Sequence, residues 1–264
     1  MEGRPLGGKA AAIRRLAGAL CATALAAMFA SRAAGTAAAE DPFVPLFNGR
    51  DLSGWRVPPG DDGHWKVVAG VIDYDAASEA AGDKTLWSEK AFADFVLRLE
   101  WRIKETPYVN RNVPIILPDG SLKNGPDGKP VRMAVPDSDS GVYLRGQSKA
   151  QVNIWCWPVG SGEVWGYRTD PEAPAEVRAA VTPRRIADRN VGDWNRFEIT
   201  MAGETLSVVL NGETVIDGAR LPGVAARGPI GLQHHGERKD GAWVSPPSLV
   251  QFRGIEIREL PARP

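Results

Sequence analysis

Alternation of apolar and polar residues at every second position is the feature that most constrains the fold of this chain. In residues 95–103 the apolar side chains stand at odd positions, and Arg98, Glu100 and Arg102 stand between them. Successive side chains of a β-strand point to opposite faces, so one face of this segment packs and the other stays polar. The 3.6-residue periodicity of helices is almost absent after residue 40. The sequence therefore predicts an all-β fold.

A hairpin is predicted at residues 205–216. Two alternating runs, 205–210 and 213–216, flank the dipeptide Asn211-Gly212. Asn and Gly accept the positive φ angles that both central positions of a type I′ turn require.

About ten strands are predicted in all, joined by short turns. The others lie at 65–68, 71–74, 141–145, 151–157, 196–201, 230–233 and 249–258, the last with a bulge near Gly254 where the alternation changes phase. No helical connectors of 10 to 15 residues separate them. This pattern favours two packed antiparallel sheets, and a jelly-roll sandwich is the predicted architecture.

Residues 1–39 have the features of a signal peptide. Basic residues open the segment, an Ala-rich apolar stretch of about 15 residues follows, and Ala37 and Ala39 satisfy the A-x-A rule for cleavage before Glu40. A membrane anchor is the alternative, although about 20 apolar residues are needed to span a bilayer. We therefore expect a periplasmic or secreted protein with no membrane association after cleavage, and a single domain over residues 40–264.

The charge balance argues against one class of binding partner, and the cysteine content limits disulfide formation. The 32 Lys and Arg balance the 32 Asp and Glu, and no basic block is present, so nucleic acid is not an expected partner. Cys156 is the one cysteine after residue 39, which excludes an intramolecular disulfide in the processed chain.

Two irregular stretches interrupt the strand pattern. Residues 105–140 are too long for an ordinary sheet connection, and either a rim of a binding site or an insertion remote from any site fits them. Residues 160–190 carry Glu163, Tyr167 and Arg168, and we expect them at one end of a sheet.

One face of the predicted strands is both polar and aromatic. Alternation in residues 151–157 places Gln151, Asn153 and Trp155 together, and the 141–145 strand turns Tyr143 and Arg145 to the same kind of face. If the strand of Glu100 lay beside them, that residue would join this surface. Flat rings with converging hydrogen-bonding groups suit a sugar. Core packing is the alternative for any single tryptophan.

Several motifs resemble those of the 3-keto-disaccharide hydrolase domain family. They are PLFNGRDLSGW at 45–55, the 95–103 strand, SGVYLR at 140–145, GPIGLQHHG at 228–236 and VQFRGI at 250–255. The resemblance covers residues 43–260. It implies a concanavalin A-like jelly roll, of the type found in lectins and glucanases, that acts on glycosides oxidised at C3. Many members have acids where this chain has Gln151, Asn153 and Trp155, so no carboxylate role is transferred there.

A ketone at C3 changes what the protein must supply. Ordinary glycosidases need two carboxylates, and the E-x-D-x-x-E strand motif of jelly-roll glucanases is absent. The ketone acidifies the proton at C2, so the group at C1 can leave by β-elimination and water can add afterwards. The candidate bases are His235, His234 and Glu163, and the family motif favours His235. Arg145 is the candidate partner of the enolate oxygen because its charge is fixed and its donors are forked.

The predicted site combines this chemistry with a sugar-binding surface. The predicted catalytic residues are His235, Glu163 and Arg145, and the predicted substrate-binding residues are Glu100, Gln151, Asn153, Trp155, Tyr167, Arg168, Gln233 and His234. For Glu163 a solvated loop acid is the alternative, and for Glu100 an ion pair with an arginine. No cofactor is predicted, since no spaced metal-binding motif is present, although a divalent metal held by His, Glu and Asn is left open. The expected partner is an oligosaccharide or glycoside. A lectin-like module without catalysis is the alternative function.

Overall fold

Antiparallel strands are the main regular structure of residues 41–261, the part of the chain that the computed structural model describes. The predicted signal peptide lies outside these residues. In chain order the strands are β1 (Val44–Pro45), β2 (Trp55–Arg56), β3 (Trp65–Val68), β4 (Val71–Tyr74), β5 (Leu86–Phe92), β6 (Phe95–Ile103), β7 (Tyr108–Pro114), β8 (Arg132–Asp137), β9 (Ser140–Leu144), β10 (Gln147–Ile154), β11 (Asn195–Ala202), β12 (Thr205–Leu210), β13 (Glu213–Arg220), β14 (Gly228–Leu232), β15 (Arg238–Lys239), β16 (Ala242–Trp243) and β17 (Val250–Glu259). The helices are α1 (Trp165–Arg168) and α2 (Ala175–Ala180).

The larger sheet has eight strands. Seven of them follow the order β13-β12-β11-β6-β17-β4-β3, and β1 also pairs with β17. Alternate residues of β6 are buried, as the sequence pattern predicts, and Trp101 packs against Phe197 of the neighbouring strand. The opposite face of this sheet is covered by ion pairs such as Arg98 with Glu198.

The smaller sheet has five strands in the order β10-β9-β14-β5-β2, all antiparallel. Its inner side chains, including Val142, Leu144, Val152 and Ile230, are fully buried against the larger sheet. The outer side chains of the same strands face away from this core. The two sheets confirm the prediction of an all-β antiparallel sandwich of the jelly-roll class.

Local sequence signals predicted the hairpin and the bulge correctly. Asn211 and Gly212 have φ angles of 53° and 88° between β12 and β13, as a type I′ turn requires. The pairing of β17 with β6 shifts register between Arg253 and Glu256, around Gly254 with its φ of 56°. Both features are confirmed.

Other boundaries differ from the sequence prediction. Strand β5 was missed altogether, and β10 ends at Ile154 rather than at residue 157. The 160–190 stretch contains the short helices α1 and α2. No helix within residues 41–261 combines the length and apolar character needed to cross a membrane.

Within the long 105–140 stretch, β7 and β8 form a two-stranded sheet. Isolated bridges between Ile116 and Leu122 and between Asn124 and Pro130 continue the pairing towards its tip. The base of this hairpin lies against the smaller sheet, where Asn110 and Asp137 approach the end of β10.

Candidate functional site

Two glycines leave room for the side chains of neighbouring strands on the outer face of the smaller sheet. Gly141 of β9 pairs with Asn153 of β10, and a Cβ added to Gly141 would lie 2.4 Å from Nε2 of Gln151. Gly231 of β14 lies in the same way under the ring of Trp87. Larger neighbours lean over both positions, so the absence of side chains there shapes the surface.

Gln151 and Gln233 form the polar floor of this surface. Gln151 Nε2 donates to Gln233 Oε1 over 2.6 Å and to the Ser140 carbonyl over 3.2 Å. Both side chains are almost completely buried, which holds them in fixed orientations.

Above this floor lies a cavity of about 620 Å³, which we call the Asp139 cavity. Strands β9 and β10, helix α1, the β7 hairpin and the segment after β14 all contribute to it. Its lining residues are Asn110, Asp139, Tyr143, Ser148, Lys149, Gln151, Asn153, Trp155, Trp157, Trp165, Gly166, Gln233, His235 and Pro246.

Stacked indoles form one wall of the Asp139 cavity. The rings of Trp155 and Trp157 lie 4.2 Å apart and 3° from parallel. Trp155 Nε1 donates to the Gly160 carbonyl over 2.8 Å, and Trp157 Nε1 donates to Asp137 over 3.0 Å. Since both polar edges are already bonded, these rings offer the cavity mainly apolar faces, which suit the C–H face of a sugar.

Asp139 supplies the carboxylate of this cavity, and it was not among the predicted site residues. It follows β8, and its backbone is held by Pro247 and Ser248. Among residues 41–261 no hydrogen-bond donor reaches its carboxylate oxygens. Burial raises the pKa of the Asp139 carboxyl to about 7. The nearby His235 opposes this shift, and the negative charges of Asp137 and Glu163 add to it. An acid with such a pKa can exchange protons near neutral pH.

His235 lies in the same cavity with its ring orientation fixed. Its Nδ1 is 2.6 Å from the Pro246 carbonyl, and its backbone N–H donates to Ser248 Oγ over 2.5 Å. A carbonyl accepts and cannot donate, so Nδ1 carries the proton. In the neutral ring Nε2 is then the basic nitrogen.

The predicted base Glu163 lies behind the cavity wall and does not line it. Its carboxylate is fully buried, pairs with Arg168, and accepts a long 3.5 Å bond from Asn153 Nδ2. Complete burial raises the pKa of the Glu163 carboxyl to about 7, against the opposing effect of Arg168. Glu163 and Arg168 therefore support Asn153 from behind the wall. Both were predicted to act on or bind the substrate, and neither lines the cavity.

The predicted catalytic role of Arg145 is contradicted by the position of its side chain. Its guanidinium donates to the carbonyls of Ala93, Gly203 and Ala225 and pairs with Asp94 at 2.8 Å. The side chain is buried at the opposite end of β9 from Gly141. The guanidinium therefore links three loops by hydrogen bonds and does not line the Asp139 cavity.

Glu100 and Tyr167 are also corrected. The strand of Glu100 belongs to the larger sheet, where its carboxylate pairs with Arg253 at 2.5 Å, so it never joins the polar face of β9 and β10. Tyr167 is buried, and its hydroxyl donates to the Pro222 carbonyl over 3.2 Å.

His234 approaches the same face beside the cavity. Its Nδ1 lies 2.7 Å from the Tyr74 hydroxyl, and burial and the nearby Lys84 lower its pKa to about 4. The imidazole is neutral at physiological pH. Both histidines of the predicted pair therefore reach the outer face, His235 in the Asp139 cavity and His234 next to it.

Five of the eleven predicted site residues line the Asp139 cavity, and His234 lies beside it. The structure brings together Gln151, Asn153, Trp155, Gln233 and His235. Asp139 was missed, although the segment Asp137-Ser-Asp139-Ser directly before the 140–145 motif was a signal for it. Within residues 41–261 no three His, Cys, Asp or Glu side chains converge as a metal site.

Comparisons with known proteins agree with this fold. A protein from Parabacteroides distasonis named as a candidate glycosyl hydrolase is 22% identical, with 83% of this chain and 84% of that chain covered and a TM-score of 0.53. A second protein of that organism, named in the same way, is 17% identical, with 83% and 94% covered and a TM-score of 0.52. No curated protein matched the chain.

A family model confirms the resemblance carried by the sequence motifs. It is described as the 3-keto-alpha-glucoside-1,2-lyase-like domain, and it matches residues 42–258. Apart from Glu259 at the end of β17, that range includes both sheets, and it includes every residue that lines the Asp139 cavity. The chain therefore belongs to the carbohydrate-active 3-keto-alpha-glucoside-1,2-lyase-like domain family.

Proposed function

We propose that the protein cleaves glycosides oxidised at C3 by β-elimination followed by hydration, with His235 and Asp139 as the proton-transfer groups. Family membership supports the substrate class. The single observation that carries the chemistry is an unpartnered carboxylate with a pKa near 7, beside a histidine, in a cavity walled by tryptophans.

The orientation of His235 supports its role as the base. Because Nδ1–H donates to the Pro246 carbonyl, the lone pair of Nε2 is available to a substrate. A ketone at C3 makes the C2 proton acidic enough for an imidazole to remove.

The protonated form of Asp139 supports its role as the acid. In the first step Nε2 of His235 takes the C2 proton, the C1–O bond breaks, and a C1=C2 double bond forms in conjugation with the C3 ketone. The leaving oxygen takes a proton from Asp139. Water then adds across the double bond, with its oxygen at C1 and a proton at C2. The sum is one glycoside and one water converted to a 3-keto sugar and a free aglycone.

The enolate oxygen needs a donor, and Arg145 is not placed to supply it. The amides of Asn153 and Gln233 line the cavity, and the Tyr143 hydroxyl, whose pKa burial raises to about 12, stays protonated as a donor. Neutral donors held in a cavity of low polarity can stabilise a developing oxyanion.

Aglycone release from a 3-keto-glucoside, measured beside its unoxidised parent, tests this function. We expect turnover of the keto compound alone, and Asp139→Asn and His235→Ala should each reduce it by about a hundredfold or more. Wild-type activity in both variants would contradict the assignment. Sugar binding without turnover, lost in Trp155→Ala, would instead establish a lectin-like module. If residues 1–39 direct export, as the sequence predicts, these glycosides would be met outside the cytoplasm.

A further inference from the structure

A second cavity of about 420 Å³ adjoins the Asp139 cavity on the same face of the smaller sheet. We call it the Trp87 cavity. The two cavities share Tyr143 and Ser148, so they meet over β9 and the start of β10. A ligand that fills both would cross the Tyr143 ring.

An aromatic platform forms the floor of the Trp87 cavity. Strand pairing places Gly231 of β14 between Trp87 of β5 and Tyr143 of β9. The Trp87 ring occupies the space above Gly231, because a Cβ there would lie 2.6 Å from Cζ3 of the indole. The rings of Trp87 and Tyr143 stack with centroids 5.5 Å apart and 27° between their planes.

Polar groups surround this platform. Asp83 Oδ2 accepts the indole N–H of Trp87 over 2.6 Å, which fixes the rotation of the ring. Lys84 and the neutral His234 stand at the same cavity, with Lys84 Nζ held by the Ser78 carbonyl at 2.6 Å. A flat apolar face ringed by charged and neutral hydrogen-bonding groups matches a pyranose, whose C–H face is apolar and whose rim carries hydroxyls.

The proposed acid Asp139 and base His235 line the Asp139 cavity, so the oxidised ring must bind there. The leaving group then lies on the other side of Tyr143. We propose that the Trp87 cavity is the leaving-group subsite and takes a second pyranose ring stacked on Trp87, an assignment that rests on the proposed function. The glycosidic oxygen then lies near Tyr143, between the two cavities.

Two substrates with different leaving groups test the subsite. One is a 3-keto-disaccharide, whose leaving group is a glucose ring, and the other is methyl 3-keto-glucoside, whose leaving group is methanol. Trp87→Ala should lower kcat/KM for the disaccharide by about tenfold, the worth of one stacked ring, and leave the methyl compound within about twofold. Trp87→Phe, which keeps a ring, should recover most of the loss.

Gly231→Ala is a second variant, because its methyl group displaces the indole while Trp87 itself remains. It should show the same selectivity for the disaccharide. Trp194→Ala is the matched control, since Trp194 stacks on Arg102 and Arg253 of the larger sheet and lines neither cavity. It should leave both substrates unaffected.

The outcomes separate the subsite from the function. Equal losses on both substrates in the Trp87 variants, or no loss on either, would overturn the subsite while the reaction stands. A wild-type protein that cleaves neither substrate would overturn the proposed function, and the subsite with it.

Discussion

The indole N–H of Trp157 donates to Oδ2 of Asp137 over 3.0 Å and so ties a wall of the Asp139 cavity to the end of β8. The same carboxylate accepts from Asn110 Nδ2 over 3.0 Å and from the Cys156 backbone over 3.4 Å. Asp137 is fully buried, and burial raises its pKa. It is a positioning residue that joins the long hairpin to the site.

Replacing Asp137 with Asn should therefore destabilise the fold. An amide oxygen can accept one or two of these bonds, but the amide N–H₂ would face a donor. We expect the free energy of unfolding to fall by about 1–3 kcal/mol in urea titrations. Asp119→Asn is the matched control in the same segment, because Asp119 is exposed and accepts hydrogen bonds from its near neighbour Ser121, and it should change stability by about 0.5 kcal/mol or less. Equal stability of both variants would show that Asp137 does not hold the hairpin.

Arg145→Ala should damage stability rather than chemistry. Removal of the guanidinium leaves the carbonyls of Ala93, Gly203 and Ala225 without this donor and leaves Asp94 without its positive charge, with the Gly203 N–H as its remaining donor. We expect a loss of about 3–5 kcal/mol in the free energy of unfolding. Turnover per folded molecule, measured well below the unfolding midpoint, should stay near that of the wild type. A large loss of kcat at unchanged stability would restore Arg145 as a catalytic residue.

The rate of aglycone release should decline as the pH rises above about 7. Asp139 acts as an acid in the proposed reaction, and it loses its proton through its raised pKa of about 7. A pH profile of kcat/KM measures this decline. In Asp139→Asn the residual rate should lack the decline, because an amide does not titrate. A wild-type profile that stays flat from pH 6 to 9 would rule out Asp139 as the acid.

The same proton affects stability, and the sign follows from the raised pKa. Between about pH 4 and 7 the folded protein retains a proton on Asp139 that the unfolded chain releases, so the free energy of unfolding falls as pH rises through this window. Asp139→Asn lacks this component, and Glu163, which titrates in the same window, is present in both proteins. The wild type should lose at least about 1 kcal/mol more than the variant from pH 5 to pH 8.

Gly141→Ala should weaken sugar binding without a large effect on the fold. The added methyl group would meet the Gln151 amide at 2.4 Å, so the side chain must leave its bond to Gln233. We expect about a tenfold loss of affinity in calorimetry, or about 1.4 kcal/mol, because the displaced Gln151 amide no longer keeps its orientation in the floor of the cavity. Gly125→Ala in the long hairpin is the control, because a methyl group there meets nothing closer than 3.2 Å. Unchanged affinity in Gly141→Ala would show that the Gln151–Gln233 pair does not contact the ligand.

Local patterns were sufficient to predict the strands but not their neighbours. Alternation located β6, and Asn211-Gly212 located a hairpin, because both signals act within a few residues. The neighbours of a strand depend on contacts far apart in sequence. The placement of Glu100 beside Gln151 was therefore wrong, since the two lie on different sheets.

Alternation on strands and the family motif predicted part of the candidate site, and the loop residue Asp139 was missed. Gln151, Asn153 and Trp155 follow from the period of two. Asp139 lies between β8 and β9, where no periodicity says which way a side chain points. Arg145 follows the alternation of β9, but its φ of 52° turns the chain there, and its guanidinium reaches the loop carbonyls instead.

The row of paired residues from Trp87 through Gly231 and Tyr143 to Gln151 crosses four strands of the smaller sheet. Neighbouring strands lie about 4.8 Å apart, so these three intervals span about 14 Å. The regular spacing of the strands therefore sets the distances along any ligand that lies across this face, with one strand about every 4.8 Å. Beyond Trp87 the next residue of the row is Arg56, which pairs with Trp87 from the edge strand β2. If the proposed substrate crosses these strands, a third sugar ring would reach that arginine and the border of the sheet, so the number of strands would limit the length of chain that this face binds.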